Sequence, residues 1–155
     1  MKRKSLWSVF FIALLAWSAP TVADDQDVAA WADSVLLSTL TVDYTESDES
    51  MNRLRPNYTA NAWDALGSFL GEYLSRIRNE QLSVHPFADG APIITDTGKT
   101  QASHLFPAMS YWRIYQAVYV PELKLRIAFS MLVVEANTEQ HKFVIQSLDM
   151  IKKEN

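Results

Sequence analysis

The residues able to do chemistry are few and scattered. His85, His104 and His141 fall in separate turns or strands, with no i,i+4 pair among them, and the chain has no Cys. A metal site would have to be assembled entirely by tertiary folding. No serine sits in a G-x-S-x-G elbow, and the four glycines form no phosphate loop. The stretch "YTESDESMN" (44–52) lacks the alternating oxygen ligands and the Gly of a calcium loop, so it reads as a solvated loop. One enzymatic arrangement is open to these residue types: a buried Asp beside tyrosines, moving protons under a curved sheet. Asp43 or Asp64 with Tyr111, Tyr115 and Tyr119 are its candidates, yet Asp64 falls on a polar helix face and Asp43 at a helix end. The residues predict no catalytic group, no metal and no cofactor.

The same tyrosines suit contacts better. Tyr111, Tyr115 and Tyr119 recur with Arg113 on one side of a single strand. Tyr and Arg are enriched where proteins meet. The opposite side carries Trp112, Ile114, Val118 and Val120, and is the more apolar of the two. It is the side predicted to be buried, which leaves Tyr111, Arg113, Tyr115 and Tyr119 as a candidate interface.

These strand residues belong to a two-part chain. A helix is predicted from Asp27 to about Asp43, where Val28, Trp31, Val35, Leu36 and Thr39 make one stripe, with the β-branched Thr41 and Val42 blurring its end. A second, longer helix follows Pro56, capped by Thr59 or Asn61. Trp63, Leu66, Phe69, Leu70, Tyr73, Leu74 and Ile77 form its apolar face, and Glu72 and Arg76 are spaced as a surface pair. Gly67 and Gly71 either let the helix approach a sheet or break it in two.

From Leu82 the period changes to two. Segments 83–87 and 91–95 flank "ADG", a hairpin signal, and "DTGKTQASH" reads as a polar loop. Two long strands follow, joined at Pro121. In the second, Leu123, Leu125, Ile127, Phe129, Met131 and Val133 alternate with Lys124, Arg126, Ala128 and Ser130. A last strand runs from Lys142 to Ile151 and loses phase near Ser147. The predicted architecture is α+β, with N-terminal helices packed on a curved four-stranded antiparallel sheet.

The chain opens on a secretory pattern: basic Lys2, Arg3 and Lys4, an apolar run from Leu6 to Ala19, and small residues before Asp24. The run would make roughly 21 Å of helix, short of a ~30 Å hydrocarbon core. Residues 1–23 are predicted to be a cleaved signal peptide, leaving one domain at 24–155 exported to the periplasm. Cleavage leaves 11 basic against 18 acidic residues, a net charge of about −7. That balance argues against nucleic acid and against anionic membrane surfaces as partners.

The stretches "LRPNYTANAWDALGSFL", "GAPII", "YWRIYQAVYVPEL" and "FSMLVV" resemble, in order and spacing, the DotI/IcmL family of type IVB secretion proteins. The matching positions are Tyr58, Thr59 and Trp63; Gly90, Pro92 and Ile94; Trp112, Val120 and Pro121; and Val133 and Val134. The resemblance covers roughly Asp27 to Leu148. It implies a nuclear-transport-factor-2-like fold and a non-enzymatic role in the inner-membrane part of a secretion or conjugation complex. Its partners would be other secretion-system proteins or a second copy, and it offers no catalytic residue to carry over. Family members usually keep an N-terminal membrane helix, so a cleaved signal would make this chain a soluble accessory paralogue; a retained segment would anchor it in the inner membrane, facing the periplasm. The alternative function is a small-ligand or enzymatic pocket on the same cone-shaped fold. That alternative requires an enclosed cavity above ~300 Å³ with converging polar groups.

Overall fold

A computed structural model of the protein describes residues 24–45, 48–104, 107–136, 138 and 141–153. The predicted signal segment lies outside them.

The first helix, α1 (Asp25–Leu40), starts two residues earlier than its stripe suggests, because the Asp24 side chain accepts from Gln26 N–H and caps it. It ends three residues earlier than expected. Val42–Asp43 leaves as a short strand, β1, which pairs with β2 (Ser83–Val84), an extended role that suits a β-branched residue. The expected loop after it contains a helical turn, α2 (Asp48–Asn52), and a 3-10 turn at Arg55–Asn57.

The long helix α3 (Ala60–Asn79) is capped by Thr59, whose Oγ1 accepts from Ala62 N–H and donates to Gln146 O at 2.7 Å. One side chain thus starts the helix and ties it to the last strand. Neither reading of its glycines holds. The helix runs unbroken through Gly67 and Gly71, and a Cβ at either would meet nothing within 4 Å. The expected Glu72–Arg76 pair is replaced by Arg76 with Glu80 at 2.9 Å, where the acid sits at the helix end.

The main sheet has five strands, not four: β3 (Phe87–Ala88), β4 (Ile93–Lys99), β5 (Ser110–Val120), β6 (Leu125–Glu135) and β7 (Phe143–Lys153), all pairs antiparallel. The expected hairpin across "ADG" does not form. β3 and β4 lie along the same edge of β5, opposite residues 118–119 and 110–115 respectively. Gly90, at φ +101, lets the chain step between them. The expected polar loop is partly strand, because the hydroxyls of Thr95 and Thr97 bond β5 carbonyls and carry β4 on to Lys99.

The core lies between helices and sheet. Val28, Ala32, Leu36 and Leu40 of α1 and Ala62, Leu66, Leu70 and Ile77 of α3 bury against Ile114, Val118, Ile127, Phe129, Met131 and Ile145. Trp112 closes one end. Its ring meets Phe143 edge-on at 5.6 Å, and its Nε1–H donates to Asp25 Oδ1 at 2.8 Å.

Candidate interaction surface

Strict alternation buries Trp112, Ile114, Gln116, Val118 and Val120 of β5 and turns Tyr111, Arg113, Tyr115, Ala117 and Tyr119 to the other side. The register then assembles the outer face. Tyr119 lies between Phe87 of β3 and Arg126 of β6; Tyr115 lies between Ile93 of β4 and Ser130. Ala117 faces Ala128, which in turn faces Ile151 of β7.

Each tyrosine of this row is held. Tyr119 is met edge-on by the Phe87 ring at 5.4 Å, with the Arg126 guanidinium 5.1 Å above it. Arg126 is fixed in turn by Asp89 at 2.6 Å. Lys153 Nζ donates to Tyr115 Oη at 2.7 Å. The Tyr111 ring crosses Gly98 so closely that a Cβ there would come within 3.0 Å of it, and its hydroxyl donates to Asp96 at 3.3 Å. Arg113 is exposed, and no ion pair holds it among the described residues. Rings locked in place lose little entropy on binding, which favours a docking surface.

Three large apolar side chains stand out from this face: Phe87, Ile93 and Ile151 are 50%, 56% and 66% exposed. The tyrosine row is visible in the sequence, but these three are not. Ile151 is hidden by a bulge in β7, where Leu132 pairs with Ser147 and Val133 with Ile145, leaving Gln146 unpaired. The extra residue shifts the phase: Phe143 and Ile145 point inward before it, Leu148 and Met150 after it, and Ile151 is turned out.

No protein-family model matches the sequence, and no curated protein matches it. Solved structures do match its fold. The periplasmic domain of DotI superposes with a TM-score of 0.68 at 18% identity, over 86% of this chain and 99% of that one. A periplasmic fragment of TraM gives 0.70 at 12% identity, over 85% and 100%. An IcmL-like type IV secretion system protein from Legionella pneumophila gives 0.63 at 17% identity, over 86% and 96%. The chain has a DotI/IcmL-like fold.

The motif positions hold this DotI/IcmL-like fold together. Tyr58 is buried beneath α1, its hydroxyl 2.8 Å from Thr39 Oγ1, and burial pushes its pKa up to about 12 despite that bond. Its ring packs on Trp63 at 5.5 Å. Thr59 is the α3 cap, and Gly90 and Pro92 form the step from β3 to β4. Pro121 begins the 3-10 turn that joins β5 to β6, closed by Lys124 at φ +52. Val133 and Val134 are buried on β6.

The enzymatic candidates do not converge. Asp64 is exposed on α3. Asp43 is bonded by the Ser83 and Thr45 hydroxyls, which hold its carboxyl below the usual range, while the Tyr111 and Tyr115 hydroxyls bond Asp96 and Lys153 instead. His85 meets Glu122 at 3.2 Å, and no set of three potential metal ligands gathers among the described residues. Between α3 and the sheet, the void lined by Leu70, Ile77, Val120 and Ile127 is only about 20 Å³. A larger groove of about 350 Å³ opens between α2 and α3, but Met51, Trp63, Leu66, Leu70 and Leu74 line it with a single amide, Asn52. Trp63, partly buried, stands at this groove.

Proposed function

We propose that this chain is a non-enzymatic periplasmic protein-interaction domain, a component or accessory paralogue of a type IVB secretion or conjugation apparatus, on a nuclear-transport-factor-2-like scaffold. The observation that carries the reading is the outer sheet face. A preorganised row of Tyr111, Tyr115 and Tyr119 is flanked there by exposed Phe87, Ile93 and Ile151. Solvated apolar side chains grouped in this way mark contact surfaces. The fold supports the setting, since two structures of similar fold are the periplasmic domain of DotI and a periplasmic fragment of TraM, and a third is an IcmL-like type IV secretion system protein. Among the described residues no helix is long and apolar enough to cross a membrane, and export rests on the signal pattern at 1–23.

The test is co-purification of the exported protein, wild type and Tyr115→Ala/Tyr119→Ala, from cells that carry such an apparatus. Apparatus proteins, or a second copy of the chain, come down with the wild type and are lost from the variant while its folding is retained. Equal recovery with both proteins contradicts the reading. Mass spectrometry of the exported form should place its first residue at Asp24.

A further inference from the structure

β7 is an edge strand, flanked in the main sheet by β6 alone. Its other edge is covered only near its start. Tyr58 bridges Ile145 in parallel, Thr59 N–H donates to Ile145 O at 3.0 Å, and the Thr59 hydroxyl donates to Gln146 O. From Ser147 to Lys153 no other described segment pairs with that edge. Its outward N–H and C=O groups are a template for one more strand.

The side chains on this edge suit a copy of themselves. Asp149, Ile151 and Lys153 alternate on the outer side, while Leu148 and Met150 turn inward and Lys152 lies over the Tyr73 ring. Asp149 is exposed and has no ion pair among the described residues, and Ile151 is the most exposed of the large apolar side chains. Set a second β7 antiparallel along the edge with Ile151 opposite Ile151. Asp149 then falls opposite Lys153, and the two-fold axis makes that pair twice. Opposite charges and apolar pairs placed in this way stabilise a ladder. Neighbouring registers do worse. A slip of one residue turns the second sheet over, and a slip of two sets Asp149 against Ile151 or Lys152 against Lys152. We propose that the free edge of β7 pairs with the same edge of a second copy of this chain, across a two-fold axis at Ile151. The backbone supplies the attraction and the side chains fix the register. Lys153, whose amine lies 2.7 Å from Tyr115 Oη, exchanges that bond for Asp149 of the second copy. The two main sheets become one, with both tyrosine rows on its outer side.

Edge pairing does not depend on what the outer face binds, so either can fail alone. The test is sedimentation equilibrium of the intact exported chain. Wild type should form dimers between about 10 μM and about 1 mM. Ile151→Lys, Asp149→Lys and Lys153→Asp, all at exposed positions, should each dimerise at least about tenfold more weakly, because like charges then stand opposite or the apolar pair is lost. An equimolar mixture of Asp149→Lys with Lys153→Asp should recover the dimer, since each variant supplies the charge that the other lacks. Tyr115→Ala/Tyr119→Ala, which strips the outer face, should dimerise as wild type does. The inference is overturned if wild type stays monomeric, if Ile151→Lys dimerises as well as wild type, if the mixture associates no better than its parts, or if Tyr115→Ala/Tyr119→Ala abolishes the dimer.

Discussion

Tyr115 is half-buried yet lies outside the core cluster: it pairs with Ile93 across the ladder, with Lys153 Nζ 5.5 Å from its ring, on the sheet face turned away from the core. Its removal should cost folding little and binding much. Central aromatic anchors of interfaces are worth about 2 kcal/mol or more, so a partner should lose roughly thirtyfold or more in affinity to Tyr115→Ala, read by titration calorimetry once a partner is in hand. Asp43 makes a separate prediction. The Ser83 and Thr45 bonds lower its pKa, so the folded state gives up this proton more readily than the unfolded chain does. The resulting stability is complete above the unfolded value of about 3.9 and is lost as pH falls through the lower folded value. Urea titrations should therefore show wild type losing more stability than Asp43→Asn between about pH 5 and about pH 2. An equal loss in both proteins contradicts the assignment.

At the scale of elements, the glycines separate by environment. Gly67 and Gly71 lie exposed inside α3 with open space where a Cβ would go. Gly71→Ala should raise stability by about 0.5–1 kcal/mol, measured by chemical denaturation. Gly98→Ala should lower it, because the Tyr111 ring occupies that space. Elements whose period is unbroken are legible in the sequence: α3 through its 3.6-residue stripe from Trp63 to Ile77, and β5 and β6 through strict alternation. Hidden are the features that depend on partners distant in sequence. β3 and β4 carry the signal of a hairpin, but each pairs with β5 instead, a choice made by Gly90 and by Gln116 more than twenty residues later. The β7 bulge at Gln146 is set by Thr59, whose hydroxyl bonds that residue's carbonyl, and no local pattern of β7 reports it. The tyrosine row is thus readable, whereas Phe87, Ile93 and Ile151 beside it are not.

For the whole molecule, the division of labour is one buried face and one displayed face. The buried face is filled by large side chains such as Phe129, Ile127 and Met131, all essentially inaccessible to solvent. Phe129→Ala should cost about 3–5 kcal/mol in equilibrium unfolding, whereas single substitutions of Tyr111, Arg113 or Tyr119 should cost far less. With that side packed, the outer sheet face and the α2–α3 groove are among the surfaces that the described residues leave open to partners. The central claim is that the sheet face does the docking. It is tested most directly by placing a photo-crosslinking amino acid at Tyr115, with Ser68 on the exposed side of α3 as control, in cells that assemble a type IVB apparatus. The account predicts a discrete crosslink from position 115 to an apparatus protein or to a second copy, and none from position 68. A crosslink from 68 with none from 115 would contradict it.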